Sequence, residues 1–397
     1  MKQIIVIGDN SSTNLGDPIL TQSAHYVIRN IAEGKGFEVS IFDIAGRKAR
    51  NTKSPQYPPH QTNVSQKPSA LKSSLNDIKH DVATLLKWHL RAKQQFQNRL
   101  EKCIHSDEPT FVIAGGALIS SSTFYALRLN AIVNMAKRYN GRVVFNAVGI
   151  EKTIHNLGFA KYLVRHCLRQ PEVTAFSTRD HVEEIPYLTH RKNFLKLLPD
   201  SGLFAAEAFG IERKYSDTVG LSVISYQAYQ SVMSYDERAR GLTPDDLLSF
   251  WENILKGFIK REQDFRILTN GGPKDYEMAL RLCQRMQLNT AHYLLPMATT
   301  PKQLVEQLSQ FKVVIAHRLH ALIICTSLGI PVIPIIWSNK VHAFAKMIGN
   351  PYAQWPSAVN HINETVDAIE KETTDISRLK ESIIDYINRS VIPKNDS

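Results

Sequence analysis

Residues 312–337, KVVIAHRLHALIICTSLGIPVIPIIW, restrict the fold more than any other stretch of the chain. The apolar run from Val313 to Ala316 has the length of one buried strand. Ala321 to Ile330 is helical in character, Gly329 suits the helix end, and Pro331 to Ile336 reads as a second buried strand. Two buried strands joined through a helix form a parallel pair, the unit of an α/β sheet. His317, Arg318 and His320 stand where the first strand hands over to its helix. Ligands of open α/β sheets bind at the carboxyl ends of strands, and helix N-termini favour anions there. Arg318 and His320 are therefore expected to face an anionic substrate.

The same alternation runs through the whole chain. Residues 3–8 read as a strand ending in the polar loop GDNSSTNLGDPIL, followed by a helix from about Ile19 and a strand at 37–42. Asp17 before Pro18 suits a helix N-cap with proline at the first helical position. The loop lacks both the Gly-x-Gly-x-x-Gly spacing of a dinucleotide site and the Gly-Lys-Ser/Thr of a P-loop. Thr110 to Ala114 is a strand running into Gly115-Gly116, where glycines let backbone N–H groups approach a ligand. Strands at 142–148 and 173–177 follow, the second ending in Thr178-Arg179-Asp180, so Arg179 occupies a strand end as Arg318 does.

Near Lys196 to Ser201 the first half gives way to the second, with strands from Val219 and over 264–269 and a polar turn, Asn270-Gly271-Gly272. A chain of 397 residues exceeds a typical single core. The pattern predicts two doubly wound, Rossmann-like parallel-sheet domains, 1–195 and 196–397, facing a cleft. The last helical stretches, about 363–391, are candidates to pack back on the first domain.

Charge is uneven. Between Arg47 and Cys103 stand twelve basic residues and three acidic ones, within a chain of net charge +11. Residues 46–75, rich in Ser, Gln, Pro, Lys and Asn, read as a mobile insertion, and 76–104 as a helix. The helix admits two readings, an ordinary surface helix or a basic amphipathic element touching anionic membrane or a lipid-linked substrate. No nucleic-acid module accompanies it, so nucleic acid is not an expected partner. The four cysteines are far apart without metal or redox spacing, and the N-terminal apolar run is too short for a signal peptide. A reduced, cytoplasmic protein is expected, with peripheral membrane contact through 46–104 as the second reading. His317 and His320 lack an evident third metal ligand, so no metal site is predicted.

Three stretches together resemble the polysaccharide pyruvyl transferase family: GDNSSTNLGDPIL, FVIAGGALIS and the Arg-Leu-His segment VVIAHRLHALIICTSLGIPVIPIIWSNKV, which includes Lys340. FSTRD matches the family's Arg-Asp pair at Arg179-Asp180, and LPDSG is a looser match around Asp200. The chain departs from the pattern at His317, Pro18 and the basic segment.

The resemblance implies a fold like the GT-B glycosyltransferases. It also implies transfer of the pyruvyl unit of phosphoenolpyruvate to two sugar hydroxyls of a polysaccharide or its lipid-linked precursor, as a cyclic ketal with release of phosphate. Phosphoenolpyruvate is then co-substrate, and no step demands a metal or organic cofactor. Arg179 and Arg318 would hold its carboxylate and phosphate, since guanidinium forks match both groups, with Lys340 as a point charge. His320 would be general acid/base, being the side chain that ordinarily titrates near neutrality. Asp17 would accept a hydroxyl proton or orient the acceptor. Asn14, Gly115, Gly116 and Asp200 complete the expected substrate-binding set. A nucleotide-sugar glycosyltransferase using the Asn270 loop, and a non-catalytic glycan- or lipid-binding protein, are the rival readings.

Overall fold

In a computed structural model the described residues are 2–46, 81–151, 158–191, 196–230, 241–270, 272–351, 362–369 and 374–392. The insertion predicted at 46–75 lies outside them apart from Gly46, as do residues 76–80 of the predicted helix. The first sheet has five parallel strands in the order β2-β1-β3-β4-β5: β1 (Lys2–Gly8), β2 (Phe37–Asp43), β3 (Thr110–Ala114), β4 (Arg142–Val148) and β5 (Val173–Thr178). The second has four, also parallel, in the order β7-β6-β8-β9: β6 (Val219–Ser222), β7 (Phe265–Leu268), β8 (Val313–Ala316) and β9 (Val332–Pro334). The inner strands are buried along their length, which is why they read as unbroken apolar runs.

The longer helices are α1 (Gly16–Ala32), α2 (Lys93–Glu101), α3 (Thr123–Arg138), α4 (Gly158–Leu168), α5 (Pro244–Lys260), α6 (Pro273–Arg285), α7 (Pro301–Leu308), α8 (Leu319–Ser327), α9 (Asn339–Met347), α10 (Ile362–Ile369) and α11 (Ser377–Ser390). Helix α11 lies on the first sheet, where Tyr386 Oη donates to the Phe145 carbonyl at 2.7 Å. Arg142 Nη2 likewise donates to the Val391 carbonyl at 2.7 Å.

Each sheet reverses its winding once, between β1 and β3 in the first and between β6 and β8 in the second. Such switch points open a crevice at the strands' carboxyl ends. The two crevices face each other because α1 and α8 pack together. Ile19 and Leu20 of α1 share one apolar cluster with Leu322 and Ile323 of α8 and with Leu203 between the domains. Helix α8 is apolar on nearly every side and correspondingly buried from His320 to Ser327. Burial of α8 fixes the loop in front of it, and that loop carries Arg318.

Candidate active site

A cavity of about 410 Å³ lies between the two carboxyl edges. Loops after β1, β3, β4 and β5 supply one side, with Asn14, Asp17, Gly116, Glu151 and Arg179. The turns after β8 and β9 supply the other, with Arg318, His320, Trp337 and Lys340.

Its cations are held differently. Arg179 is buried, and its Nη1 donates to Asp200, whose other oxygen accepts from the Gly202 N–H at 2.9 Å. Burial opposes the charge of Arg179, but Asp200, Asp180 and Asp17 outweigh it and push its pKa up. Its buried Nε has no hydrogen-bond partner among the described residues. Arg318 precedes α8 in extended conformation, and its Nε and Nη2 fork onto Asp275 at 2.7 Å each. Asp275 is buried and also accepts from the Ser225 N–H at 2.9 Å. That fork fixes the guanidinium and leaves Nη1 without a partner among the described residues. Lys340, in the first turn of α9, makes no ion pair among those residues. Burial and then Arg179 lower its pKa, against the pull of Asp180, Glu151 and Asp17. Three cations thus converge, and Lys340 has no counter-ion among the described residues.

The first-domain wall that carries Arg179 also carries acids. Asp17 lies in the first turn of α1, where its Oδ2 accepts from Ser12 Oγ at 3.1 Å and Asn14 Nδ2 at 3.3 Å. Burial, then the charge of Asp9, push its pKa up to about 6, against the Ser12 bond and the pull of Arg179 and Lys340. Asp9 accepts from Tyr125 Oη at 2.6 Å, and Glu151 from the Ser121 N–H at 2.7 Å. His320 reaches across from α8, with Nε2 3.8 Å from Asp17 Oδ1 and Nδ1 3.5 Å from Asn14 Nδ2. Burial, then Arg179, Arg318 and Lys340, hold the imidazole well below its ordinary range, so it is neutral at pH 7.

The sequence model of the polysaccharide pyruvyl transferases matches residues 25–339, most of the chain. The chain belongs to that family. It is therefore a transferase. Its fold is that of UDP-GlcNAc 2-epimerase from Methanocaldococcus jannaschii (TM-score 0.52, 10% identity, 99% of this chain and 100% of that one). A protein assigned as a UDP-N-acetylglucosamine 2-epimerase from Listeria monocytogenes is similarly related (TM-score 0.51, 9% identity, 98% of this chain and 95% of that one). Both are GT-B-type two-domain architectures, as the sequence pattern and the resemblance led us to expect. No curated protein matches. Arg179, Arg318 and His320 lie within the matched span of this pyruvyl transferase, whereas Asn14, Asp17 and Lys340 lie outside it.

The structure brings Asn14, Asp17, Gly116, Arg179, Arg318, His320 and Lys340 to one cavity. It places two expected substrate-binding residues elsewhere. Gly115 has φ +78° and sits under α1, where an added Cβ would lie 3.0 Å from Thr21 Oγ1, so close packing explains it. Asp200 is buried beneath Arg179 and caps the turn Ser201–Phe204, acting on the guanidinium and away from the main cavity.

Two further readings need correction. Asp17 is not a cap, because the N-cap position is Leu15 and the carboxylate turns toward Ser12, Asn14 and His320. His320 is no near-neutral titrator in the free site, since three cations and burial discharge it. His317 is buried among the rings of Tyr229, Phe250 and Trp251 at 5.1–5.4 Å, and burial then Arg318 push its pKa down to about 3. It is a neutral core residue whose carbonyl accepts from Trp337 Nε1. No metal-binding group of three or more His, Cys, Asp or Glu occurs among the described residues.

Sequence reasoning missed Asp275, Tyr125, Glu151 and Trp337. Asp275 follows Pro273 and resembles any acidic helix start; only the pairing of β6 with β7 and β8 puts it beneath Arg318.

Proposed function

We propose that the cavity binds phosphoenolpyruvate and moves its pyruvyl unit onto two hydroxyls of a sugar in a polysaccharide or its lipid-linked precursor, forming a cyclic ketal and releasing phosphate. The observation that carries this reading is the convergence of Arg179 from one wall and Arg318 and Lys340 from the other on a single cavity that Asp17, Asp9 and Glu151 also line. A three-carbon molecule bearing a carboxylate and a phosphate needs several cations within reach of one another. Two preset guanidinium groups and the Lys340 ammonium supply them.

The proton path follows from the charges. The phosphate offsets Arg179, Arg318 and Lys340, and so raises the basicity of His320 on binding. His320 then takes up a proton and passes it to the methylene carbon, leaving C2 cation-like. A sugar hydroxyl attacks C2 and its proton goes to Asp17, which is largely ionised above about pH 6. In the second step the C2–O bond to phosphate breaks, phosphate leaves with the electron pair, and the second hydroxyl adds to C2 as its proton passes to the departing phosphate. Asp17 then returns the first hydroxyl's proton to His320, 3.8 Å away, so that in net one hydroxyl proton replaces the one given to the methyl group and the other ends on phosphate.

Thermal-shift and calorimetric titration with phosphoenolpyruvate test the donor half. Wild-type protein is expected to be stabilised by it and not by a uridine diphosphate-sugar. Lys340→Ala should fold normally and lose about 10- to 100-fold in affinity, because Lys340 leaves no charge behind unpaired. Arg318→Ala and His320→Ala should abolish phosphate release in the presence of acceptor glycan. Stabilisation by the nucleotide-sugar alone would instead favour a glycosyltransferase or epimerase-like activity on the shared fold. Mass spectrometry of glycans from cells with and without the protein would name the acceptor, through the ketal's added mass.

A further inference from the structure

The helical segment 81–101 has one face buried on the first domain and one exposed. Its inner face carries Trp88, Phe96 and Leu100, buried in the cluster that holds Phe42 and Phe111. A π-helical turn, Trp88–Ala92, brings Trp88 and Phe96 to one side with ring centroids 5.8 Å apart. The guanidinium of Arg128 on α3 lies over both rings and over Phe124. The segment is thereby fixed to the first domain.

Its outer face carries a line of exposed aliphatic side chains among charged and polar ones. Val82, Leu86 and Leu90 are 49%, 58% and 79% exposed, and they stand four residues apart on one side. Isolated exposed leucines are ordinary, but a line of three on one helix marks a surface that meets an apolar phase. Lys87, Arg91 and Lys93 are exposed beside the line and make no ion pair among the described residues. At the near end, Asp81 Oδ1 accepts from Thr123 Oγ1 at 2.6 Å, and Thr123 is two residues from cavity-lining Tyr125.

We propose that this outer face docks on a bilayer rich in anionic lipid, with Val82, Leu86 and Leu90 entering the interface and Lys87, Arg91 and Lys93 meeting the headgroups. Aliphatic side chains flanked by unspent cations match that boundary, where apolar burial and attraction to headgroup phosphates act together. Nucleic acid would leave the leucines with nothing to contact. A second copy would set the same three cations against each other. The inference rests on the exposed face alone and stands whether or not phosphoenolpyruvate is the donor.

Co-sedimentation of the full-length protein with vesicles of phosphatidylcholine, alone or mixed with phosphatidylglycerol, tests it. Binding is expected to the mixed vesicles only, and to weaken as salt is raised. Leu86→Glu with Leu90→Glu should reduce the partition at least about tenfold, and Lys87→Gln with Arg91→Gln and Lys93→Gln about a hundredfold. Circular dichroism and the melting temperature show that these exposed replacements leave the fold intact, and phosphoenolpyruvate titration reports the cavity separately. Equal binding to both vesicle types, no binding, or undiminished binding of either variant would overturn the proposal. So would light scattering showing that the leucine replacements abolish self-association, which would assign the face to a dimer.

Discussion

Asp17 and His320 exchange the properties their residue types would suggest. The carboxylate, buried beside Asp9, is pushed up to about 6, while the imidazole is driven down by burial and three cations. Asp17 therefore weakens the fold when ionised. A carboxyl near 4 when unfolded and about 6 when folded binds the proton more tightly in the native state. Its contribution is favourable below about pH 4, is lost as pH rises to about 6, and is fully lost above that. We predict that Asp17→Asn raises stability at pH 7.5 by about 1–3 kcal/mol, that the gain disappears near pH 4, and that phosphate release falls sharply. Urea unfolding at the two pH values measures it; a loss of stability at pH 7.5 would refute the strained carboxylate. The sequence placed Asp17 at a helix start, but its charge state depends on burial, on Asp9 at the end of β1 and on Arg179 at the end of β5.

Helices α1 and α8 meet at Gly16, and no sequence rule points there. A Cβ on Gly16 would lie 1.8 Å from His320 Nδ1 and 2.1 Å from Cγ, so this close approach depends on a bare backbone. Alanine ordinarily helps a helix, by about 1 kcal/mol over glycine in its interior. Gly16→Ala is predicted to reverse that sign, costing about 1–3 kcal/mol as His320 is displaced, and to impair turnover as strongly as His320→Ala. Denaturant titration and phosphate release read the two effects, and a neutral or stabilising outcome would mean that α1 and α8 do not hold this contact in solution. Elements themselves were legible where apolar runs are long. Strands 110–114, 142–148 and 313–316 fall where the pattern puts them. The start of α1 was misjudged by three residues, because the helix begins inside the polar loop at Gly16 and places Asp17 in its first turn.

At the scale of the molecule, the cavity exists because two sheets share an apolar cluster, and this bears on how the chain unfolds. Leu203, Leu322 and Ile323 join the α1 side of the first domain to the α8 side of the second. Helix α11 returns from the far end of the chain to bond with Phe145 on β4. Opening the cleft would expose this apolar cluster along with the paired Arg318–Asp275 side. Each fully buried aliphatic side chain exposed costs about 1.5–3 kcal/mol, so a few suffice to couple the domains. We predict a single cooperative transition. Trp88 is buried in the first domain and Trp251 in the second, which gives two local fluorescence probes. Variants retaining one or the other should report the same urea midpoint once corrected for their own stability. Ile323→Ala, which empties part of the shared cluster, should lower both midpoints together, at a cost in stability of about 2–5 kcal/mol. Midpoints that separate, or an Ile323→Ala effect seen by one tryptophan alone, would mean that the domains fold independently and that the cavity is assembled only by what it binds.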